Sequence, residues 1–249
     1  MISTAQHSTA QHSTAQHSTA SIIDLVLKKI YIFFFLPLIF LSTSLYAHSE
    51  VYNYPNVLLE SLRLNHFERF TTSVAGDYLA IFSPKEYQLY QNDEFERPRL
   101  IAKAEEDLFA KLEQQKEPQV FSSVIHSRFG EYDFDKKAFD FQPLKNISAS
   151  RIEKSSHIPI LYALPREIIF SFSNKDIVNG IPMNEDEAKK FLQSRRSLGD
   201  GIRDRRVTLE LDFKFISATS LSDLVAEIVG FKVLDDKNDV IYQYKGNTK

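Results

Sequence analysis

Three acidic residues at alternate positions are the first group in this sequence that could do chemistry. Glu131, Asp133 and Asp135 are spaced two residues apart, so a strand would place their carboxylates on one face. Such carboxylates could coordinate Ca²⁺, or two of them could act as general acid and base if their surroundings separated their pKa values. The alternative is a solvated strand face with Tyr132 and Phe134 turned inward. We favour this alternative, because alternate residues of a strand lie about 7 Å apart.

A second group is a cluster of arginines around Gly199 and Gly201. Guanidinium groups bind phosphate and carboxylate in bidentate fashion, and a glycine-rich loop would let several of them converge on lipid phosphates or anionic glycans. The alternative is structural: arginines favour the C-terminus of a preceding helix, and others would pair with Asp200 and Asp204. The cluster consists of Arg195, Arg196, Arg203, Arg205 and Arg206.

Other catalytic and metal-binding patterns are missing from the sequence. The chain has no Cys, which excludes a disulfide, a thiolate zinc site and cysteine catalysis. The His residues form no HxxxH or HExxH pair, and no nucleophile elbow or phosphate-binding loop is present. The acidic stretch from Asp235 to Asp239 is shorter than a Ca²⁺ loop and has Lys237 at its centre, so it predicts a hairpin turn. We therefore expect no metal site and no cofactor, and binding rather than catalysis.

The chain begins with a polar repeat, in residues 1–20, that no packed fold requires. Ser3 to Ala20 read STAQH three times and then STA. These residues can be encoded AGC-ACA-GCA-CAG-CAC, which is the five-base unit AGCAC in tandem. Such tracts gain and lose units by strand slippage, and each slip shifts the reading frame. The repeat therefore predicts phase-variable expression, and the alternative is a true start at a non-AUG codon for Val26 or Leu27.

Residues 21–47 have the layout of a secretory signal peptide. Lys28 and Lys29 precede an apolar run from Ile30 to Leu41, and small residues follow as far as Ala47. The run is shorter than the roughly 20 apolar residues of a membrane-spanning helix, and no Cys follows it. We therefore expect cleavage after Ala47 and a location in the periplasm or at the cell surface. After cleavage the protein would not be an integral membrane protein.

The composition of the mature chain limits its partners. Cleavage after Ala47 leaves 202 of the 249 residues, and it removes Lys28, Lys29 and Asp24 from a chain of formal net charge −3, which gives −4. This length suits one domain with a sizeable core, or two small domains. A net acidic chain lacks the basic footprint of a nucleic-acid-binding protein. Anionic lipid, lipopolysaccharide or another envelope protein remain as partners.

The spacing of apolar residues predicts an α+β fold, with N-terminal helices followed by a mainly antiparallel sheet with one inserted short helix. Residues 48–118 form the helical part and residues 119–249 the mainly β part of the same domain. Ser83 and Glu86 form a capping box ahead of one helix, and Pro98 breaks or kinks that helix before a second one. The expected helices are Pro55–Phe70, one from Pro84, one over Leu100–Leu112 and one from Asn184 to Ser194.

Strands are predicted where apolar residues alternate with polar ones. The clearest case is Val207–Phe215, in which every second residue is apolar. The polar stretch 146–156 is predicted to be a loop. The other expected strands begin at Val120, span Arg166–Ser173, and form a hairpin of Val225–Leu234 with Val240–Tyr244.

Two segments of the mature chain carry a recognisable residue pattern. Gly130 to Phe139 read GEYDFDKKAF, and a second pattern runs from Pro182 through Phe191 to Val207 and into the following strand. These segments resemble a family of exported proteobacterial proteins of unknown function, over roughly Val57 to Tyr244. The resemblance implies an envelope location and no assigned reaction, so it identifies no catalytic residues.

These observations favour an exported binding protein of the envelope or cell surface whose expression is phase-variable. Random switching suits a protein that meets a host, a phage or an antibody better than it suits an essential enzyme. The alternative is a periplasmic hydrolase or envelope-modifying enzyme that uses Glu131, Asp133 and Asp135. A third interpretation is an accessory factor for assembly that acts like a chaperone.

The repeat leads to a genetic prediction. We expect single colonies of the source organism to differ in the number of five-base units, and frame-shifted members to make no protein. Sequencing the tract from many colonies, with immunoblots of the same colonies, measures both. A constant tract, or codons that do not spell AGCAC, would contradict the prediction.

Overall fold

Four of the five described α-helices lie in residues 54–114, and the strands follow together with the fifth helix. The structure is a computed structural model that describes residues 50–66, 71–199 and 201–246. The repeat, the signal segment and the expected cleavage site lie outside these residues. Within them the fold has five α-helices and eleven strands, so the predicted α+β class is confirmed.

Four helices precede the sheet, and local caps set their starts. The side chain of Asn53 accepts the Asn56 N–H (2.9 Å) at the start of the first helix, and Thr71 caps the second. Asp93 accepts the N–H groups of Phe95 and Glu96 (2.9 and 2.8 Å) at the start of the fourth. The helices are α1 (Tyr54–Leu64), α2 (Thr72–Phe82), α3 (Pro84–Tyr90) and α4 (Glu96–Gln114).

The predicted helices are confirmed with corrected ends. The first stops at Leu64, and Phe67 and Phe70 lie outside the described residues. Pro84 is the first residue of α3, but the Ser83 side chain makes no capping hydrogen bond, so the predicted capping box is wrong. Pro98 does not break a helix: it lies in the first turn of α4, where its missing N–H removes no hydrogen bond.

The main sheet has six strands around a long central pair. The strands run in the order β1-β9-β10-β5-β4. Strand β11 pairs with the same edge of β10 as β5 does, but β5 lies along the first residues of β10 and β11 along the last ones. Only β10 and β5 are parallel, so the prediction of a mainly antiparallel sheet is confirmed. The strands are β1 (Val120–Arg128), β4 (Ser150–Glu153), β5 (Glu167–Phe172), β9 (Arg206–Ser220), β10 (Asp223–Leu234) and β11 (Val240–Lys245).

Smaller elements connect the strands of the main sheet. A three-stranded sheet has the order β2-β3-β6, and β7 pairs with β8 in a short hairpin. The predicted inserted helix is confirmed as α5 (Glu185–Ser194), and Asn184 caps it by accepting the Glu187 N–H at 2.9 Å. The predicted loop over 146–156 is wrong in part, because β4 lies within it. The small strands are β2 (Tyr132–Asp133), β3 (Ala138–Phe139), β6 (Ile181–Pro182), β7 (Ser197–Gly199) and β8 (Ile202–Arg203).

The core lies between the helices and one face of the sheet. Alternate residues of β9 are buried, as its sequence predicts, and α1 packs against β9 and β5. Aromatic rings join three strands: the Phe170 centroid lies 5.6 Å from Phe213 and 5.2 Å from Phe215, and Phe121 lies 5.4 Å from Phe215. Aromatic pairs at such distances add about 1 kcal/mol each to the burial of their area.

Two buried carboxylates fasten the helices to the rest of the domain. Glu60 on α1 pairs with Arg63 at 2.7 Å, accepts a hydrogen bond from Gln115, and also accepts the Gln119 N–H at 3.3 Å. Asp77 on α2 is 3% exposed and accepts the N–H groups of three successive residues, 162–164, at 2.6 to 3.0 Å. Both carboxylates serve the fold, because their oxygens are occupied by the chain's own donors.

The Asp77 contacts lead to a stability prediction. Asp77→Ala leaves three backbone N–H groups without their acceptor, and each buried unsatisfied group costs about 1 to 3 kcal/mol. Because the freed loop can turn some donors to water, we expect a loss of about 3 kcal/mol in the free energy of unfolding, measured by urea titration. Asp107→Ala on the exposed side of α4 is the control, with an expected change within about 0.5 kcal/mol. Equal losses in both variants would refute this role of Asp77.

Candidate functional site

The three acidic residues of the predicted strand face lie in and beside a turn. β2 contains only Tyr132 and Asp133, and the chain then turns into β3. The Asp133 carboxylate accepts the N–H groups of Asp135 and Lys136 at 3.0 Å each, and the Lys136 ammonium lies 3.3 Å away. The strand predicted through Glu131, Asp133 and Asp135 is therefore wrong, because aspartate favours this local turn over an extended chain.

The predicted inward direction of the neighbouring aromatics is also wrong in part. Tyr132 is half-buried and its hydroxyl donates to the Met183 carbonyl at 2.8 Å. Phe134 is 68% exposed, because the alternation of a strand ends at the turn. The N–H of Lys136, donated to Asp133, lowers the pKa of that carboxyl. A carboxylate with a lowered pKa is a poor general acid at neutral pH.

The acidic stretch after β10 forms the predicted hairpin turn. The Asp235 carboxylate accepts the N–H groups of Lys237 and Asp239 at 2.8 and 2.9 Å. Asn238 has a φ of 65°, a backbone conformation that asparagine tolerates better than most residues. Within residues 50–66, 71–199 and 201–246, no group of three His, Asp or Glu side chains is placed to hold a metal ion.

Arg195 is buried and belongs to the framework of the fold. Its side chain is 1% exposed, and the guanidinium lies 5.4 Å from the centre of the Phe191 ring. Its nitrogens donate to the backbone carbonyls of Asp204 (3.0 Å) and Arg206 and to the carboxylate of Asp236. This arginine therefore connects the end of α5, the start of β9 and the turn after β10.

Two more of the arginines donate to backbone carbonyls. Arg203 donates to the Arg195 carbonyl at 3.2 Å, although its side chain lies at the surface. Arg205 donates to the Gly130 carbonyl, and its guanidinium lies 5.3 Å from the centre of the Phe129 ring. Arg205 thus connects the start of β9 to the segment before β2.

Arg206 forms a close ion pair with Asp204. The guanidinium makes contacts of 2.6 to 3.0 Å with both carboxylate oxygens, and the Arg206 N–H donates to the same carboxylate at 3.0 Å. The Arg206 side chain is 66% exposed and that of Asp204 only 3%. The side-chain hydrogen bond from Arg206, followed by the one from its backbone N–H, holds the pKa of Asp204 well below its usual range.

The hairpin of β7 and β8 combines exposed arginines with exposed aliphatic side chains. Leu198 is 47% and Ile202 60% exposed, and Gly199 and Gly201 adopt positive φ angles of 102° and 76° at the turn. Asp200 between them lies outside the described residues. Three exposed arginines accompany the hairpin: Arg196 precedes it, Arg203 is its last residue and Arg206 follows it. We call β7, β8, Arg196, Arg203 and Arg206 the arginine hairpin.

An open groove of about 850 Å³ lies beside the arginine hairpin. Arg206 is the one member of the five-arginine cluster that lines this groove. The other four arginines do not line it, so the cluster does not converge on the groove. The groove adds Arg128, which the register of β1 and β9 places directly opposite Arg206, and His126, whose Nδ1 lies 3.2 Å from the Thr208 hydroxyl. The sequence analysis missed Arg128, because its proximity to Arg206 depends on strand pairing. The remaining lining residues are Ser127, Leu198, Asp204, Val207, Thr208, Asp235 and Asp236.

The ion pair of Asp204 leads to a prediction for pH. The pKa of this carboxyl is lower in the folded chain than the ordinary value of about 4. Its contribution to stability is therefore complete above that value and is lost as the pH falls towards the folded pKa. We expect Asp204→Asn and Arg206→Gln to flatten the fall of the urea midpoint with acidification below about pH 4. An unchanged slope in Asp204→Asn would contradict this.

Comparisons with known proteins agree with the coarse form of the resemblance. A domain of unknown function (DUF4852) is found at residues 71–194, which include the GEYDFDKKAF segment and end with α5. No curated protein and no solved structure matches the chain. Among the described helices, none has the length and apolar character needed to cross a membrane. Residues 71–194, about half of the chain, are thus similar to a family without an assigned activity.

Proposed function

We propose that the protein is exported, is expressed in a phase-variable manner, and binds anionic lipid or lipopolysaccharide of the envelope through the arginine hairpin. The observation that carries the proposal is the exposure of Leu198 and Ile202 between surface arginines. A lipid with an anionic head group offers phosphate to guanidinium and hydrocarbon to aliphatic side chains. Both kinds of side chain lie together on this one hairpin.

The charges around the hairpin support an anionic ligand. Arg196 is exposed and has no carboxylate within ion-pair distance among the described residues. Arg203 ends β8 at the surface and donates to the Arg195 carbonyl, and among the described residues no carboxylate lies within ion-pair distance of it. Arginine near an anionic membrane surface contributes about 1 kcal/mol of binding. Two such arginines and two aliphatic side chains give weak, reversible association.

A binding role is favoured over the hydrolase alternative by the placement of the acidic residues. The Asp133 carboxylate accepts N–H groups of the turn after β2, and Glu131 and Asp135 lie outside β2, so the common strand face on which the hydrolase alternative depends is not formed. The contact of His126 with Thr208 pairs an imidazole with a hydroxyl, but no described carboxylate orients that imidazole as in hydrolytic triads. The third interpretation, an assembly factor, differs in requiring a protein partner.

Export leads to a prediction about the mature terminus. When the full chain is expressed in a Gram-negative host, we expect the envelope fraction to contain protein that begins at His48, because Ala47 ends the signal-like segment. N-terminal mass spectrometry of that fraction measures the cleavage site. Full-length protein in the cytoplasm that retains Ile30 to Leu41 would refute export.

Lipid binding leads to a prediction for paired variants. Vesicles with phosphatidylglycerol should bind the exported protein more tightly than vesicles of phosphatidylcholine, and binding should weaken at high salt because exposed charges are screened over about 8 Å at physiological salt. Arg196→Ser with Arg203→Ser should weaken binding about tenfold or more. Leu198→Ser with Ile202→Ser should weaken it without changing its salt dependence.

The matched control removes two exposed arginines from α4. Arg97→Ser with Arg99→Ser makes the same change in net charge at a surface outside the arginine hairpin, so it should bind vesicles like the unmodified protein. Equal weakening in both arginine pairs would show attraction by net charge alone. Unchanged binding in the hairpin variants would reject the site. Lipopolysaccharide in place of phosphatidylglycerol distinguishes the two sources of phosphate.

A further inference from the structure

Strand β1 forms a long sheet edge that is open to pairing. It has nine residues, whereas β4 at the opposite edge has four. It contains no Pro, Lys or bulge, the features by which natural sheets block their edges. In the described part of the chain, one backbone contact covers this edge: Glu50 bridges to Phe121, and its N–H donates to the Val120 carbonyl at 2.8 Å.

Strand geometry identifies the free backbone groups. The Val120 carbonyl faces Glu50, so Val120 points away from β9, whereas the Phe129 N–H donates to Arg205 on the β9 side at 3.1 Å. Because the direction alternates along a strand, the N–H and C=O groups of Val124, His126 and Arg128 face outward. None of these groups has a backbone partner among the described residues.

We propose that this edge pairs with β1 of a second copy of the chain, antiparallel, across a two-fold axis at His126. The three free residues are evenly spaced about His126, so a two-fold axis there satisfies all of their groups at once. Val124 then pairs with the partner subunit's Arg128, and His126 with the partner subunit's His126. Each facing pair exchanges two hydrogen bonds, and the main sheets of both copies join into one.

The charges on this face favour a second copy as the occupant. Within one chain, Arg128 lies opposite Arg206, and like charges in that position are destabilising. In the pair, Arg128 of the partner subunit lies beside Val124, whose other neighbour across the sheet is Glu210. Because the pair has two-fold symmetry, this placement of Arg128 near Glu210 of the other copy occurs twice. The interface is isologous, so it closes on two copies and does not extend into a fibre.

The geometry also fixes the register and leaves room for the bridge at Glu50. Pairing centred on His126 uses the edge from Val124 onward, so it does not compete with Glu50 beside Phe121. Val124 is 58% exposed in the single chain and becomes covered by the neighbouring strand. Main-chain hydrogen bonds at a sheet edge are a recurrent mode of protein association.

The first experiment measures mass by sedimentation equilibrium of the exported protein over a wide range of micromolar concentrations. We expect a monomer–dimer equilibrium. Val124→Pro removes an N–H that faces outward, so it spares the pairing with β9 but blocks the second copy at two symmetry-related sites. If the loss at each site weakens the dimer about tenfold, the Kd of the dimer rises about a hundredfold. A wild-type monomer throughout, or an unchanged Kd in a folded variant, overturns the proposal.

A second variant covers the case in which Val124→Pro does not fold. Arg128→Glu places a carboxylate opposite Arg206 in its own chain and near Glu210 of the partner subunit. It should therefore leave the urea midpoint of the monomer unchanged or raised while it weakens the dimer about tenfold. A dimer that is as tight as wild type would overturn the assigned charge contact.

Cysteine substitution tests the register, because the chain has no Cys of its own. Under mild oxidation His126→Cys should form an intermolecular disulfide, since facing residues have Cα atoms about 5.5 Å apart. Val124→Cys is the matched control: it is four residues from its symmetry mate, roughly 14 Å, and disulfides need less than about 7 Å. Cross-linking of Val124→Cys in preference to His126→Cys overturns the axis at His126.

Discussion

The alternation of apolar and polar residues along β9 is the constraint on which the rest of the domain depends. Val207, Leu209, Leu211, Phe213 and Phe215 are all 4% exposed or less, and β9 pairs with β1 on one side and with β10 on the other. A slip of one residue would turn this set to solvent and bring Glu210 and Asp212 into the core. The register that follows also decides which polar residues face each other outside the core.

The buried Arg195 guanidinium is a second constraint, at the end of the sheet where the arginines cluster. Burial of a charge is costly unless all of its donors are used, and here carbonyls, Asp236 and the Phe191 ring surround it. This arrangement fixes the base of the β7–β8 hairpin. It also shows why a count of arginines overstates the number of free guanidinium groups: Arg195 is buried, and Arg205 donates to the Gly130 carbonyl.

The sequence was sufficient for elements with a clear period and insufficient where tertiary contacts decide. The strand β9 and the helix α5 were predicted, because a period of two and an Asn184 cap are local signals. The helix α2 was missed, since most of its residues are buried and it lacks a polar stripe. The polar composition of residues 146–156 predicts a loop, but β4 lies within them. At Asp133 turn chemistry outweighed alternation, and the carbonyl partners of the arginines could not be deduced without the fold.

On the polar face of the sheet, the charges of the central strands β9 and β10 are paired differently from those at the β1 edge. Across β9 and β10, Lys214 lies 3.3 Å from Glu227, and Lys232 lies 3.6 Å from Glu210. At the β1 edge, Arg128 lies opposite Arg206, which already pairs with Asp204, and no carboxylate of the described residues lies within ion-pair distance of Arg128. Since each exposed pair contributes little to stability, the pattern matters less for folding than for association. A cation without an ion pair, next to backbone groups without backbone partners in the described part of the chain, favours contact with a second surface. This supports both of our proposals, for β1 and for the arginine hairpin, over one at the centre of the sheet.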